Sequence, residues 1–203
     1  GIDSKYAYSI YLISGFLGWI LFNDFLLQLT NIFTEKANFI KKNKFPRVTL
    51  PIISLGTNLV NNFVLFITII MVLFFLKHPL SISILWLFPL TLSLAAFTLG
   101  IGLILGVFNT FIRDISQALP ITLQVWFWFT PICYPKRILP EQFQSLLNLN
   151  PLAHYIESYH KIILYNLQPN LLTLFILSII SIVFLSLSFI IYKRSMSHIL
   201  DIL

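Results

Sequence analysis

Few residues in this chain have the types and spacing for chemistry. His154, Glu157 and His160 place two imidazoles and a carboxylate at intervals of three. Such groups hold a divalent metal when they converge. On a helix, however, this series fans over about 120°, whereas a pair of His at i, i+4 stacks on one face. With no fourth ligand nearby, the three are expected on a surface helix at a membrane edge, and no metal site is assigned. Serines at 178, 181, 186 and 188 have no His and Asp arranged with them, and read as packing and interhelical hydrogen-bond residues. No G-x-x-x-x-G-K-[ST] loop is present, and Gly100, Gly102 and Gly106 fall inside an apolar run. Gly102 and Gly106 form a small-xxx-small pair suited to close helix packing. Cys133 is the single cysteine, which excludes an internal disulfide and a cysteine metal cluster. The chain is therefore not expected to be an enzyme or to bind a cofactor, and any ATP chemistry belongs to another chain.

The stretch that stands out is Val125-Trp126-Phe127-Trp128-Phe129, bracketed by Pro120 and Pro131 and preceded by Arg113-Asp114. The prolines leave fewer than the roughly 20 residues that a straight membrane span needs. Thr130-Pro131 ends the run and frees backbone carbonyls that protein or water must satisfy. Two readings stay open for the rings. They form a belt at the membrane interface, or they line a path for a bulky amphipathic substrate whose sugar C–H groups or lipid chains meet aromatic faces. The segment from Pro135 to Pro169 is too long for a plain loop. Its Phe143, Leu146, Leu147, Leu149, Tyr155, Ile156 and Tyr159 would be buried by short helices dipping into the membrane or lying on its outer face.

The elements that position these groups follow from composition. Of 203 residues, 58% are hydrophobic and 10% charged, with a mean hydropathy of +0.89. Soluble domains carry about 25% charged residues. Apolar blocks run from Tyr8 to Phe33, Leu50 to Leu76, Leu85 to Phe108, Ile115 to Tyr134 and Leu171 to Tyr192. They lack the period-two alternation of barrel strands. The expected fold is all-α: a polytopic helical membrane protein in one transmembrane domain over 1–203, with five membrane helices. Asn58, Asn61 and Asn62 read as polar glue in the second block, and Asp24 as either paired or interfacial.

The net charge of +6 sits at the ends of apolar runs, as topology signals do, and does not point to nucleic acid. If Lys36, Lys41, Lys42, Lys44 and Arg47 are cytoplasmic, alternation adds Arg113, Lys193 and Arg194 to that side. Lys5, Lys77, Lys136, Arg137 and Lys161 lie on the other. The C-terminus is then cytoplasmic and the first residues outside. With no leader and no initiator Met, at least one earlier membrane helix is expected.

At the level of motifs the chain resembles the membrane subunit of polysaccharide-exporting ABC transporters, the permeases for O-antigen, capsule and teichoic-acid chains. The matching pieces are Gly15-Phe16-Leu17-Gly18-Trp19, the loop from Asn38 to Arg47, Arg113-Asp114-Ile115, Thr130-Pro131-Ile132-Cys133-Tyr134-Pro135 and Asn150-Pro151-Leu152. The family often has Pro where Gly18 stands. The resemblance implies a six-helix subunit of the inner (cytoplasmic) membrane, of which this chain holds helices two to six, forming a homodimer around a channel. The partner ATPase, which carries ATP and Mg, would dock on the loop 34–47 through Glu35, Lys36, Asn38, Lys41, Lys42, Lys44, Phe45, Pro46 and Arg47. The path of a polysaccharide or lipid-linked glycan would use Trp19, Phe22, Trp126, Phe127, Trp128, Phe129 and Tyr134, with Arg113 and Asp114 as a cytoplasmic anchor. Re-entrant helices within 135–170 would form an outer gate, involving Thr130, Pro131, Pro135, Pro140, Asn150, Pro151, Tyr155 and Tyr159. An integral membrane enzyme acting on polyprenyl-linked sugars is the alternative. It would need acidic or His residues to converge, and only Asp24, Asp114 and the 154–160 region supply them.

Overall fold

The computed structural model of the chain describes residues 6–36, 49–140, 144 and 147–202. The apolar blocks become helices, and among the described residues there is no strand. Helices α1 (Ala7–Glu35), α2 (Thr49–Phe75), α3 (Leu87–Phe111) and α6 (Leu171–Ile202) are long and apolar enough to cross a membrane. A 3-10 turn at Ile82–Trp86 leads into α3. The aromatic block forms α4 (Asp114–Trp128), of 15 residues, and α5 (Pro151–Ile163) has 13. At 1.5 Å per residue these reach about 22 and 20 Å, short of a hydrocarbon core of about 30 Å. Among the described residues four helices therefore have spanning length, not the five expected, and α4 is the one that falls short. Of the basic segment at 34–47, residues 37–47 lie outside the described residues.

Helix boundaries follow local chemistry. The Asn150 side chain accepts a hydrogen bond from the Leu152 N–H while Pro151 occupies the first turn, which starts α5. Asn170 does the same for Leu172 and Thr173 at the head of α6. After α5, Asn166 adopts φ 54° and accepts from the Ser81 N–H, so the turns before α3 and after α5 are joined.

α3 packs between α1 and α6. The approach to α1 is close because Gly102 and Gly106 face Leu29. A Cβ on Gly106 would lie 2.6 Å from the Leu29 carbonyl oxygen. Between α1 and α2, Asn62 donates to the Leu17 carbonyl at 3.0 Å, and Asn58 donates to Gln28 Oε1 and the Ser54 carbonyl. Asn61, on the other face, is exposed. The outward faces of α2 and α6 present Phe63, Phe74, Phe75, Ile182 and Phe189, an apolar surface suited to hydrocarbon and not to water.

α5 is seated against the first half of α1. A Cβ on Gly18 would lie 2.7 Å from the Tyr159 ring, so any side chain at 18 would displace α5. That seat gives Gly18 a reason of its own.

Candidate functional site

The site grows out of the end of α4. Phe129 caps the helix, and the chain turns through Thr130-Pro131 into a tight loop reaching Pro135. Five carbonyls freed there are met by hydroxyls of the same chain. Thr130 Oγ1 donates to Trp126 O at 2.9 Å, and Tyr134 Oη to Trp128 O at 2.6 Å. Tyr8 Oη donates to Cys133 O at 3.3 Å. Tyr11 Oη shares its proton between Pro131 O at 3.0 Å and Tyr134 O at 2.8 Å. A helix break at membrane depth is stable only when such groups are satisfied, and side chains of the protein meet these five.

The four consecutive rings divide into two pairs. Phe127 packs inward, edge-on to Trp19 at 5.3 Å and stacked on Phe16 at 5.9 Å. Trp126 meets Phe22 edge-on at 5.4 Å, and its indole N–H donates to Asn150 Oδ1 at 3.3 Å. Trp128 and Phe129 point away from the core and are 62% and 60% exposed. With Tyr134, Pro140, Leu147 and Pro151 they line an open groove of ≈ 620 Å³ whose surface is almost wholly apolar. The Asn150 carboxamide on its floor is tied by Trp126 and by its own bond to Thr130 Oγ1. Such a groove can hold a ring or chain by its apolar face, and among the described residues its lining carries no carboxylate, imidazole or amine.

The expected site residues are thus only partly brought together. Trp126, Trp128, Phe129, Tyr134, Pro140, Asn150 and Pro151 share the groove. Phe22 is fully buried among Phe97, Trp19 and Trp126, and Trp19 is 7% exposed. Both, like Phe127, pack the interior and differ from the expected channel lining. Thr130 and Pro131 are buried within the break, and Pro135 is half-buried. Tyr155 and Tyr159 differ most from their expected place on a gate surface, since both are fully buried. Tyr155 Oη lies 2.8 Å from both Ser93 Oγ and Ser181 Oγ, and Tyr159 Oη lies 2.8 Å from Thr91 Oγ1. These tyrosines anchor α5 to α3 and α6. Ser93 and Thr91 gave no signal in the sequence, because one hydroxyl in an apolar run looks like any other.

Only His154, Glu157 and Lys161 of α5 form its polar stripe, with Glu157 and Lys161 paired at 2.8 Å. Burial alone would raise the Glu157 carboxyl, but the Lys161 hydrogen bond and the charges of Lys161, Lys136 and His154 hold it below the usual range. His160 turns inward and stacks on Tyr11 with ring centroids 3.8 Å apart. Burial pushes its imidazole down to about 4. Arg113 stands at the cap position of α4 and Asp114 in its first turn, both exposed, and among the described residues neither joins an ion pair. Asp114 there complements the positive end of the helix dipole. Glu35 and Lys36 are exposed at the end of α1. Asp24 is exposed beside Asn23, whose amide donates to it at 2.9 Å.

Comparison with known proteins settles the class. The family model for ABC-2 type transporters matches residues 2–164. The chain belongs to that family. This ABC-2 chain is similar to an O-antigen export system permease protein of Klebsiella pneumoniae, 30% identical over 156 residues, which cover 76% of this chain and 60% of that one. A second, of Myxococcus xanthus, is 30% identical over 181 residues, covering 88% of this chain and 69% of the relative. The ABC-2 chain thus spans about three fifths of the Klebsiella relative's length. Family membership and the apolar helices make it a multi-pass membrane protein.

Proposed function

We propose that this ABC-2 chain is the membrane-spanning part of a permease exporting a polysaccharide, with ATP hydrolysis on a separate subunit. The observation that carries this is the pairing of O-antigen permease likeness with an exposed aromatic groove at a helix break. Sugar rings present C–H faces that pack on Trp and Phe, while among the described residues the lining holds no charged group for an ion. The groove also accepts the lipid of a lipid-linked glycan.

In this reading the protein resides in the inner membrane with its C-terminus cytoplasmic. α4 counts as a fifth crossing, completed by the turn after it, and α5 as a re-entrant helix of an outer gate. The basic segment after α1 receives the ATPase. Trp128 and Phe129 face a second copy of the subunit across a shared channel, which accounts for large rings left uncovered in one copy. Arg113 and Asp114 anchor α4 at the cytoplasmic edge. Both are exposed and among the described residues form no ion pair, so their value is positional.

The test is reconstitution of the full-length subunit with its candidate ATPase in vesicles. Vanadate-sensitive movement of a glycan and co-purification of the two subunits are expected. Failure to bind any ATPase, or glycan turnover without translocation, would overturn the reading.

A further inference from the structure

We infer that Asn109 is a positioning residue for transport, tying the end of α1 to the start of α4 so that the two move together. The Asn109 side chain is 1% exposed and both ends of its carboxamide are engaged. Nδ2 donates to the Thr30 carbonyl of α1 at 3.0 Å and lies 3.4 Å from Asn31 Oδ1. Oδ1 accepts from the Ser116 N–H of α4 at 3.0 Å. The reverse amide orientation would set oxygen against two oxygens and N–H against N–H, so the neighbours fix which end is which.

The geometry has clear causes. Gly102, Gly106 and Asn109 recur at i, i+4 and i+7 and share one face of α3. The two glycines let α1 approach at Leu29, which brings the next carbonyl, that of Thr30, within reach of Asn109. The other leg meets a need of α4. Arg113, at its cap position, makes no side-chain cap, and the first-turn N–H of Ser116 has otherwise only the Arg113 carbonyl at 3.3 Å. Asn109 therefore caps α4 from the preceding helix. At its far end α4 is held to α1 again, through Trp126 and Phe127 on Phe22 and Trp19. Fastened at both ends, α4 carries Trp128 and Phe129 wherever α1 goes. The inference rests on the reading that the segment after α1 receives the ATPase.

The test uses the full-length subunit with its ATPase in vesicles. Asn109→Asp keeps the acceptor for Ser116 but loses the donor to Thr30; Asn109→Ala loses both. Both variants are expected to assemble and hydrolyse ATP near the wild-type rate, with glycan exported per ATP falling roughly tenfold, the worth of one buried hydrogen bond. Unchanged export per ATP in Asn109→Asp overturns the inference. So does a proportional fall in yield, hydrolysis and export, which marks a role in folding alone. A second readout needs no export. In a Cys133→Ser background, spin labels at Lys36→Cys and Gln117→Cys should keep one separation with and without vanadate-trapped nucleotide, and lose that constancy in Asn109→Ala. A separation that shifts on trapping with Asn109 intact overturns the link. If charge reversal at Lys41 and Lys42 leaves coupling intact while Asn109→Asp uncouples, the docking assignment falls and the link stands. The converse result removes the link alone.

Discussion

Phe22 and Trp128 are both large aromatic residues assigned to a substrate path by resemblance, and their surroundings separate them. Phe22 is fully enclosed, so Phe22→Ala should cost about 3–5 kcal/mol and appear as a lower melting temperature in detergent. Trp128 is mostly exposed, so Trp128→Ala should melt normally and slow export roughly 2–10-fold, the worth of one aromatic contact. Normal export in that variant would make Trp128 part of an interface belt. The sequence could not separate the rings, because four consecutive aromatics cover every side of a helical turn. Only Phe16, Trp19 and Phe22 on α1 decide which pair faces inward. His160 adds a pH dependence. Its native value near 4 lies below the usual 6.5, so between those limits the unfolded chain binds the extra proton. Stability should be complete above about pH 6.5 and fall by about 3 kcal/mol as pH drops to 4. His160→Gln should flatten that slope in thermal melts; an unchanged slope assigns the acid sensitivity elsewhere.

α5 shows how far a pattern read along one helix can carry. Asn150-Pro151, read in the sequence only as a motif of the resemblance, is the cap and first-turn proline that start it. Its depth was not legible. Alternating polar and apolar residues suggest a helix lying on a surface, yet of its polar residues only His154, Glu157 and Lys161 remain outside. The difference comes from α1, where Gly15 and Gly18 open a trough, and from hydroxyls on α3 and α6 that satisfy two tyrosines. Gly18→Val should therefore lower the yield of folded subunit, because its Cβ overlaps the Tyr159 ring. Tyr155→Phe removes one partner from each of Ser93 and Ser181, which keep bonds to each other and to the Leu177 carbonyl, and should cost about 0.5–1.5 kcal/mol with export otherwise intact. A neutral result for either would show that α5 has room to shift. The shortness of α4 was visible at one end only: Pro131 follows its last turn, whereas Pro120 lies inside the helix, which begins at Asp114.

For the whole molecule, the uneven distribution of basic residues led to an expected orientation, and the resemblance to an expected docking segment at 34–47. Charge reversal at Lys41 and Lys42 should leave the helical fold unchanged by circular dichroism while separating ATP hydrolysis from export. Retained coupling would direct the search to another cytoplasmic surface. The break after α4 bears on a different property, electrical tightness. Five of its carbonyls are met by hydroxyls of Thr130, Tyr134, Tyr8 and Tyr11, which leaves fewer of them to draw in water. A membrane protein must not short-circuit the membrane it sits in, and each carbonyl met by a hydroxyl removes one foothold for a proton-conducting chain of water. Tyr11→Phe leaves Pro131 O and Tyr134 O to recruit water, and vesicles carrying it should dissipate a proton gradient faster at rest.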